Sequence, residues 1–222
     1  MRKGLTEIVF ILDRSGSMRG LEADTIGGYN SLIEKQKKEE GEAYISTVLF
    51  DDYSEVLHDR VSIERIKPMT DKEYYVRGCT ALLDAVGGAI NHIGNVHKYA
   101  REEDRPEKTL FIITTDGLEN SSRRYTYDKV KKMVERQKKR YGWEFLFLGA
   151  NIDAIAEAGR FGIKEDRTVN FNCDEEGIAV NYRVLSETVS KVRQCSVHEM
   201  DMVLAPTWKE EIEADYEKRH RK

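Results

Sequence analysis

Ile8-Val9-Phe10-Ile11-Leu12-Asp13-Arg14-Ser15-Gly16-Ser17-Met18 is the stretch on which the reading of this chain turns. A short apolar run rich in Ile, Val and Phe has the composition of a strand buried on both faces of a parallel sheet. It stops at Asp13, which places a carboxylate at the strand's carboxyl end, the edge where open α/β sheets bind ligands. Ser15 and Ser17 follow at alternate positions, with Gly16 freeing the backbone between them. Asp13, Ser15 and Ser17 offer only oxygen, the donor set of a hard cation such as Mg²⁺, Mn²⁺ or Ca²⁺. Three oxygens from one loop do not complete a shell, so others must come from elsewhere.

Two later stretches supply them. Leu110-Phe111-Ile112-Ile113-Thr114-Thr115-Asp116-Gly117 repeats the pattern of an apolar strand ending in Asp, and Arg77-Gly78-Cys79-Thr80-Ala81-Leu82 sets a threonine just before a helical pattern. If the two strands are neighbours in a parallel sheet, Asp13 and Asp116 meet at one edge and Thr80 reaches them from the intervening loop. Here the sequence resembles the von Willebrand factor A domain family over roughly residues 5–195. Asp13, Ser15 and Ser17 match that family's metal-ion-dependent adhesion site (MIDAS) motif Asp-x-Ser-x-Ser, Thr80 its separate threonine, and Asp116 its aspartate in Thr-Asp-Gly. The resemblance implies a metal site made of Asp13, Ser15, Ser17, Thr80 and Asp116, holding Mg²⁺ or Mn²⁺ in preference to Ca²⁺. It also implies a partner protein whose Asp or Glu carboxylate completes the metal's shell.

The bulk properties bound the rest. A chain of 222 residues with 40% hydrophobic residues suffices for one large α/β domain plus a tail. The charged fraction of 34% implies well-solvated helix faces, and a net charge of −4 gives no general attraction to nucleic acid or to an anionic membrane. No run of apolar residues is long enough to span a bilayer. Met1 to Gly4 leads straight into a strand without the pattern of a secretory leader. Cys79, Cys173 and Cys195 are odd in number and far apart, which argues against a disulfide framework. These features together predict a cytoplasmic protein.

Taken in order, the chain alternates strands with helices. Strands are expected at 6–12, 43–50, 55–61, 109–115, 143–148 and 167–171, the third of them antiparallel after a turn at Asp51-Asp52. Helices are expected from Gly20 to Glu39, from Ala81 to about Tyr99, from Thr126 to Arg140, from Ile152 to Gly159, and over a segment whose apolar stripe is Ile178, Tyr182, Leu185, Val189 and Val192. Gly87-Gly88 weakens the second helix by roughly 1 kcal/mol per glycine, for which close packing on the sheet is the expected reason. This order predicts an α/β fold: a doubly wound, Rossmann-like, mostly parallel six-stranded sheet with one antiparallel edge strand and helices on both faces. Residues 1–195 form the domain and 196–222 a tail. In the tail, Thr207 and Glu210 have capping-box spacing. Trp208, Ile212 and Tyr216 then share a stripe, and Glu210, Glu211 and Glu213 precede a basic end at 218–222, the order that suits a helix dipole.

The remaining residues have plainer readings. Glu119 and Asn120 are expected to be solvated loop residues, Asp51 and Asp52 a turn, and Cys79 a small buried side chain. None of the five histidines has metal-ligand spacing. The Lys/Arg run over 129–140 is expected to be a solvated helix face.

Two functions compete. The first is a binding module without chemistry of its own. Intracellular relatives implied by the resemblance, the stand-alone bacterial TerY-like proteins among them, serve as adaptors beside AAA+ ATPases or in stress-resistance assemblies. The second is a Mg²⁺-dependent phosphatase or phosphotransferase of the haloacid-dehalogenase type, which also begins with an Asp at the end of strand one. That chemistry needs a second carboxylate two residues on, where this chain has Ser15. No phosphate-binding glycine loop follows the first strand either. The expectation is a non-enzymatic, metal-dependent interaction domain.

Overall fold

The computed structural model describes residues 1–220. Arg221 and Lys222, expected at the basic end of the tail helix, lie outside the described residues. The sheet contains β1 (Arg2–Asp13), β2 (Glu42–Phe50), β3 (Ser54–Ser62), β4 (Pro106–Thr115), β5 (Glu144–Gly149) and β6 (Thr168–Asn170), in the order β3-β2-β1-β4-β5-β6. Only the β2–β3 pairing is antiparallel, as the sequence predicts. The helices are α1 (Glu22–Gln36), α2 (Leu82–Tyr99), α3 (Tyr127–Tyr141), α4 (Ala154–Arg160), α5 (Glu175–Gln194), the single turn α6 (Met200–Val203) and α7 (Glu210–His220).

Alternation of side chains along each strand divides the interior into two layers. Ile8, Phe10 and Leu12 of β1 face a core shared with α1, α5, α6 and α7, whereas Val9 and Ile11 face a core shared with α2, α3 and α4. β1 is therefore buried on both sides, and each of these side chains stabilises the fold by roughly 1.5–3 kcal/mol. The strand order reverses between β1 and β4: β2 and β3 continue outward on one side, β5 and β6 on the other. The crevice outside the carboxyl ends of β1 and β4 is thus the topological switch point, the place where such sheets take ligands.

Three local expectations are corrected. Gly87 makes room for the Tyr125 ring, which a Cβ would meet at 2.4 Å, whereas Gly88 has nothing within 4 Å, so the pair is not explained by packing on the sheet. The first helix stops at Gln36, short of Glu39, and the chain turns back through Gly41 at φ +86°. The capping box in the tail forms at Ser196 and Glu199. At Thr207 it does not form, because Pro206 opens a 3₁₀ turn over 206–209 and the helix proper begins at Glu210.

Residues 196–220 continue the domain's own core. Met200, Leu204, Trp208 and Ile212 are buried in the α1/α5 layer. Arg183 on α5 pairs with Glu211 at 2.6 Å, and Arg219 pairs with Asp174 at 2.6 Å and also with Asp215. Lys209 donates to the carbonyls of Glu165 at 3.0 Å and Thr168 at 2.8 Å, beside the three-residue strand β6. Ile212→Ala is expected to cost about 2 kcal/mol, read as a lower urea midpoint at unchanged slope. A midpoint equal to wild type would mean that α7 does not hold its place in solution.

Candidate metal centre

Each of the five predicted site residues is set by the end of an element. β1 delivers Asp13, and the 3₁₀ turn Gly16–Met18 that follows carries Ser15 and Ser17 back over the strand end. β4 delivers Thr115 and Asp116. Thr80 stands two residues before α2.

These five side chains come together at the switch point. Asp13 accepts from the Ser15 backbone N–H at 2.7 Å through Oδ1 and from the Thr115 hydroxyl at 2.6 Å through Oδ2. The Ser15 and Ser17 hydroxyls lie 3.1 Å apart, and Ser17 donates to Asp116 Oδ1 at 2.6 Å. Thr80 closes the ring from the other side: a Cβ placed on Gly117 would lie 3.4 Å from Thr80 Oγ1 and 3.7 Å from Ser17 Oγ. Asp13 and Asp116 are 2% and 3% exposed, while Ser17 is exposed and opens the site outward.

Two carboxylates buried together at this depth require compensation. Burial pushes Asp13 up to about 6 against the hydrogen bonds from Thr115 and Ser15, and burial likewise raises Asp116. Among the described residues no basic side chain pairs with either. Nor does any group of three or more His, Cys, Asp or Glu side chains suit a metal among them. A cation here therefore has two carboxylates and hydroxyl oxygens to use, an all-oxygen set that fits a hard divalent ion. A divalent cation would offset the desolvation that raises both acids and the smaller repulsion that Asp116 adds at Asp13.

The supporting residues were only partly anticipated. Asp51 stands in the expected turn between β2 and β3, but it is buried. It is 1% exposed and accepts from Arg14 Nε at 2.8 Å and Arg77 Nε at 2.9 Å, and Arg14 itself is wholly buried. Burial alone would raise Asp51, but hydrogen bonds from Arg77, the Tyr53 backbone and Arg14 together hold it below the ordinary carboxylate value. The pair sits directly behind the site, where Arg14 N donates to Phe50 O and Arg77 N to Arg14 O. Arg14 and Asp51 each stand one residue beyond the paired ends Asp13 and Phe50 of neighbouring strands, so the strand register sets them side by side.

Glu119 and Asn120 are likewise not free loop residues. Glu119 accepts from the Leu83, Ser121 and Ser122 backbone N–H groups at 2.7–2.9 Å, capping the start of α2. Asn120 Oδ1 accepts from Thr80 N at 2.9 Å, and its own N–H donates to Thr80 O at 3.0 Å. Together they clamp the threonine in place. Cys79 is exposed rather than buried. Thr115 of the Thr-Asp-Gly motif, to which the sequence reading gives no role, holds Asp13, and Cys173, which no motif marks, has its Sγ 3.8 Å from Asp116 Oδ2. Gly78 joins the loops at φ +67°, its carbonyl accepting from Gly16 N at 3.1 Å, and a Cβ there would meet Asp52 Oδ2 at 2.1 Å. Gly78→Ala is expected to lower stability by about 1–3 kcal/mol and to weaken metal binding through the displaced Thr80 loop. Thermal melts with and without Mn²⁺ measure both effects, and an unshifted melt would refute the strain argument.

This sheet order, with acidic and hydroxyl groups gathered at the β1/β4 crevice, defines the von Willebrand factor A fold, and the chain has that fold. Solved structures of that fold are similar to it across most of its length. The von Willebrand factor domain of the type V pili tip protein Mfa5 from Porphyromonas gingivalis superposes with a TM-score of 0.60 at 12% identity, covering 86% of this chain and 97% of that one. Manganese-loaded TRAP protein from Plasmodium vivax gives 0.57 at 17% identity, over 81% of this chain and 73% of that one. Proximal thread matrix protein 1 from the mussel byssus, with a zinc-occupied MIDAS motif, gives 0.56 at 14% identity, over 83% of this chain and 46% of that one. The chain thus spans about half the length of the mussel protein. No family model matches the sequence, and no curated protein matches it.

Proposed function

We propose that this protein is a divalent-metal-dependent protein-interaction module in which Asp13, Ser15, Ser17, Thr80 and Asp116 hold Mg²⁺ or Mn²⁺. The observation that carries the proposal is the convergence of two buried carboxylates, lacking any basic partner among the described residues, with three hydroxyl side chains at the sheet's switch point. A bound divalent ion would supply residual positive charge and an open coordination position for an Asp or Glu carboxylate of a partner protein. Around it the chain's own residues orient and exclude water: Thr115 and Ser15 N fix the Asp13 carboxylate, Asn120 fixes Thr80, and Asp51 with Arg14 supports the loop beneath. Zinc in the mussel protein's MIDAS motif and manganese in the Plasmodium protein support a divalent ion as the class of ligand.

The finer reading is a cytoplasmic adaptor or scaffold of the bacterial TerY-like type, acting beside an AAA+ ATPase or in a stress-resistance assembly. Residues 1–195 form the domain that carries the metal site, and residues 196–222 are its C-terminal tail, of which the described part, 196–220, packs on that domain. Among the described residues no helix is long and apolar enough to cross a membrane. No enzymatic role is assigned, because Ser15 stands where a phosphotransferase of the dehalogenase type needs its second acid. Assays with generic phosphate esters are expected to show no Mg²⁺-dependent turnover.

The test is capture of partners from a bacterial lysate on the immobilised chain, with Mn²⁺ and with chelator. The expected result is a protein retained with metal, released by chelator and displaced by free carboxylate. A partner retained equally in chelator would move the interaction to another face.

A further inference from the structure

A second site lies at the opposite, amino-terminal edge of the sheet. A cleft of about 480–520 Å³ is the size usual for small-ligand pockets, and the described residues line clefts of that size at two places. The one between α1 and α5 also holds a buried unpaired atom, Ser186 Oγ, but its charges are mixed in sign, with Asp24 and Glu175 beside Lys35 and Arg183, the last already paired with Glu211. The other, of about 520 Å³, opens between the last turns of α2 and α3 and the starts of β4 and β5, and its lining is left chemically unfinished. Trp143 is 3% exposed, stacked on Phe111 and met edge-on by His97, so that its ring forms a flat apolar wall of the cleft. The other tryptophan of the chain, Trp208, donates its N–H to Asp166 O at 2.8 Å. Gln137 Oε1, also in the lining, is buried without a partner. A buried acceptor left unpaired costs about 1–3 kcal/mol, a cost that a ligand bearing a donor would remove.

The charge of the mouth selects the kind of ligand. Lys98, Arg105 and Arg140 line it, and none of the three is ion-paired among the described residues. Lys98 and Arg140 also complement the dipoles of their own helix ends, but Arg105 lies outside both helices and spends only its Nε, on Ala100 O at 3.1 Å. The one acid in the lining, Glu102, is largely solvent-exposed. His97 contributes no net acid, since its Nε2 is committed to the buried Glu7 at 2.6 Å. We propose that this cleft binds a small organic acid: a flat apolar body against the Trp143 ring, carrying one anionic group for the cationic mouth and a hydrogen-bond donor for Gln137 Oε1. It is separate from the metal centre, which lies at the other end of β1 and β4, and it does not depend on the function proposed above.

The test uses the full chain labelled with ¹⁵N and two probes, hydroxynaphthoate and its uncharged counterpart naphthol. The two tryptophan indole signals report separately, with Trp143→Phe assigning them. Hydroxynaphthoate is expected to shift the Trp143 indole saturably and leave that of Trp208 in place. Gly94→Leu plugs the cleft, since a Cβ there meets only Gln137 Nε2 at 3.3 Å and Trp143 Cη2 at 4.0 Å, and is expected to abolish the shift. If that variant fails to fold, Gln137→Leu replaces it and is expected to weaken binding about ten-fold, the loss of one buried hydrogen bond. Charge reversal by Lys98→Glu with Arg140→Glu is expected to weaken hydroxynaphthoate by at least about ten-fold and to leave naphthol unchanged. Absence of a saturable shift, equal movement of Trp208, or naphthol binding as tightly as the acid would each overturn the proposal.

Discussion

Asp13→Asn will abolish Mg²⁺ and Mn²⁺ binding while leaving the metal-free protein at least as stable as wild type. The side chain keeps its shape, so the new amide oxygen still accepts from Ser15 N. Thr115 can turn its hydroxyl toward Gly117 O, 3.0 Å away, and accept from the new amide nitrogen. What disappears is a charge that burial disfavours: Asp13 is pushed up to about 6, chiefly by desolvation. The folded chain therefore holds the Asp13 proton more tightly than the unfolded chain, where a carboxylate titrates near about 4. Between those two values the folded state binds more protons, so raising the pH through about 4 to 6 removes stability from the metal-free wild type. Asp13→Asn removes that slope. Metal acts in the opposite sense, because it needs the ionised carboxylate: its stabilisation, about 2.7 kcal/mol at a hundred-fold excess over Kd, is expected to be full near about pH 7 and to fade below about pH 6. Calorimetry with Mn²⁺ and melts across this range, on both proteins, measure the whole set. Retained binding in Asp13→Asn would place the metal elsewhere.

The second large effect belongs to a residue that touches no ligand. Arg14→Ala is expected to destabilise the fold by about 3–5 kcal/mol, because it strands Asp51 at 1% exposure with only the half-exposed Arg77 for charge. It also leaves a void where the largest fully buried side chain stood. Arg77→Ala, by contrast, removes a partner with access to water and is expected to cost below about 1 kcal/mol. The double variant Arg14→Met with Asp51→Leu is expected to recover most of the loss, since two apolar side chains leave no unpaired charge. Urea unfolding of the three variants distinguishes a buried pair from a packing defect: a double variant as weak as Arg14→Ala would mean that volume rather than charge dominates.

The strands, the doubly wound and mostly parallel sheet, and the five oxygen side chains that converge were legible in the sequence because each rests on local pattern. An apolar run ending in Asp marks both a buried parallel strand and its ligand edge. Two such runs in one doubly wound sheet are brought to the same crevice by topology. What escaped was determined by pairing across the chain. Arg14 and Asp51 look like ordinary surface charges until the register Asp13 to Phe50 sets them side by side. Glu119 and Asn120 look like loop polar residues until α2 and Thr80 are found to present backbone groups to them. Gly87 answers to a tyrosine on a distant loop. None of these has a period, so no window of sequence contains the reason for it.

Lys209 has one more consequence. A strand of three residues at the end of a sheet exposes backbone groups on which a strand from another molecule can add. Here a lysine ammonium occupies the Thr168 carbonyl beside that border, and Trp208 and Ile212 are buried in the core layer below. A version ending at residue 195 would present an open β6 border together with the apolar surface that the segment following α5 covers. It is expected to form oligomers whose size grows with concentration, while the full chain stays monodisperse.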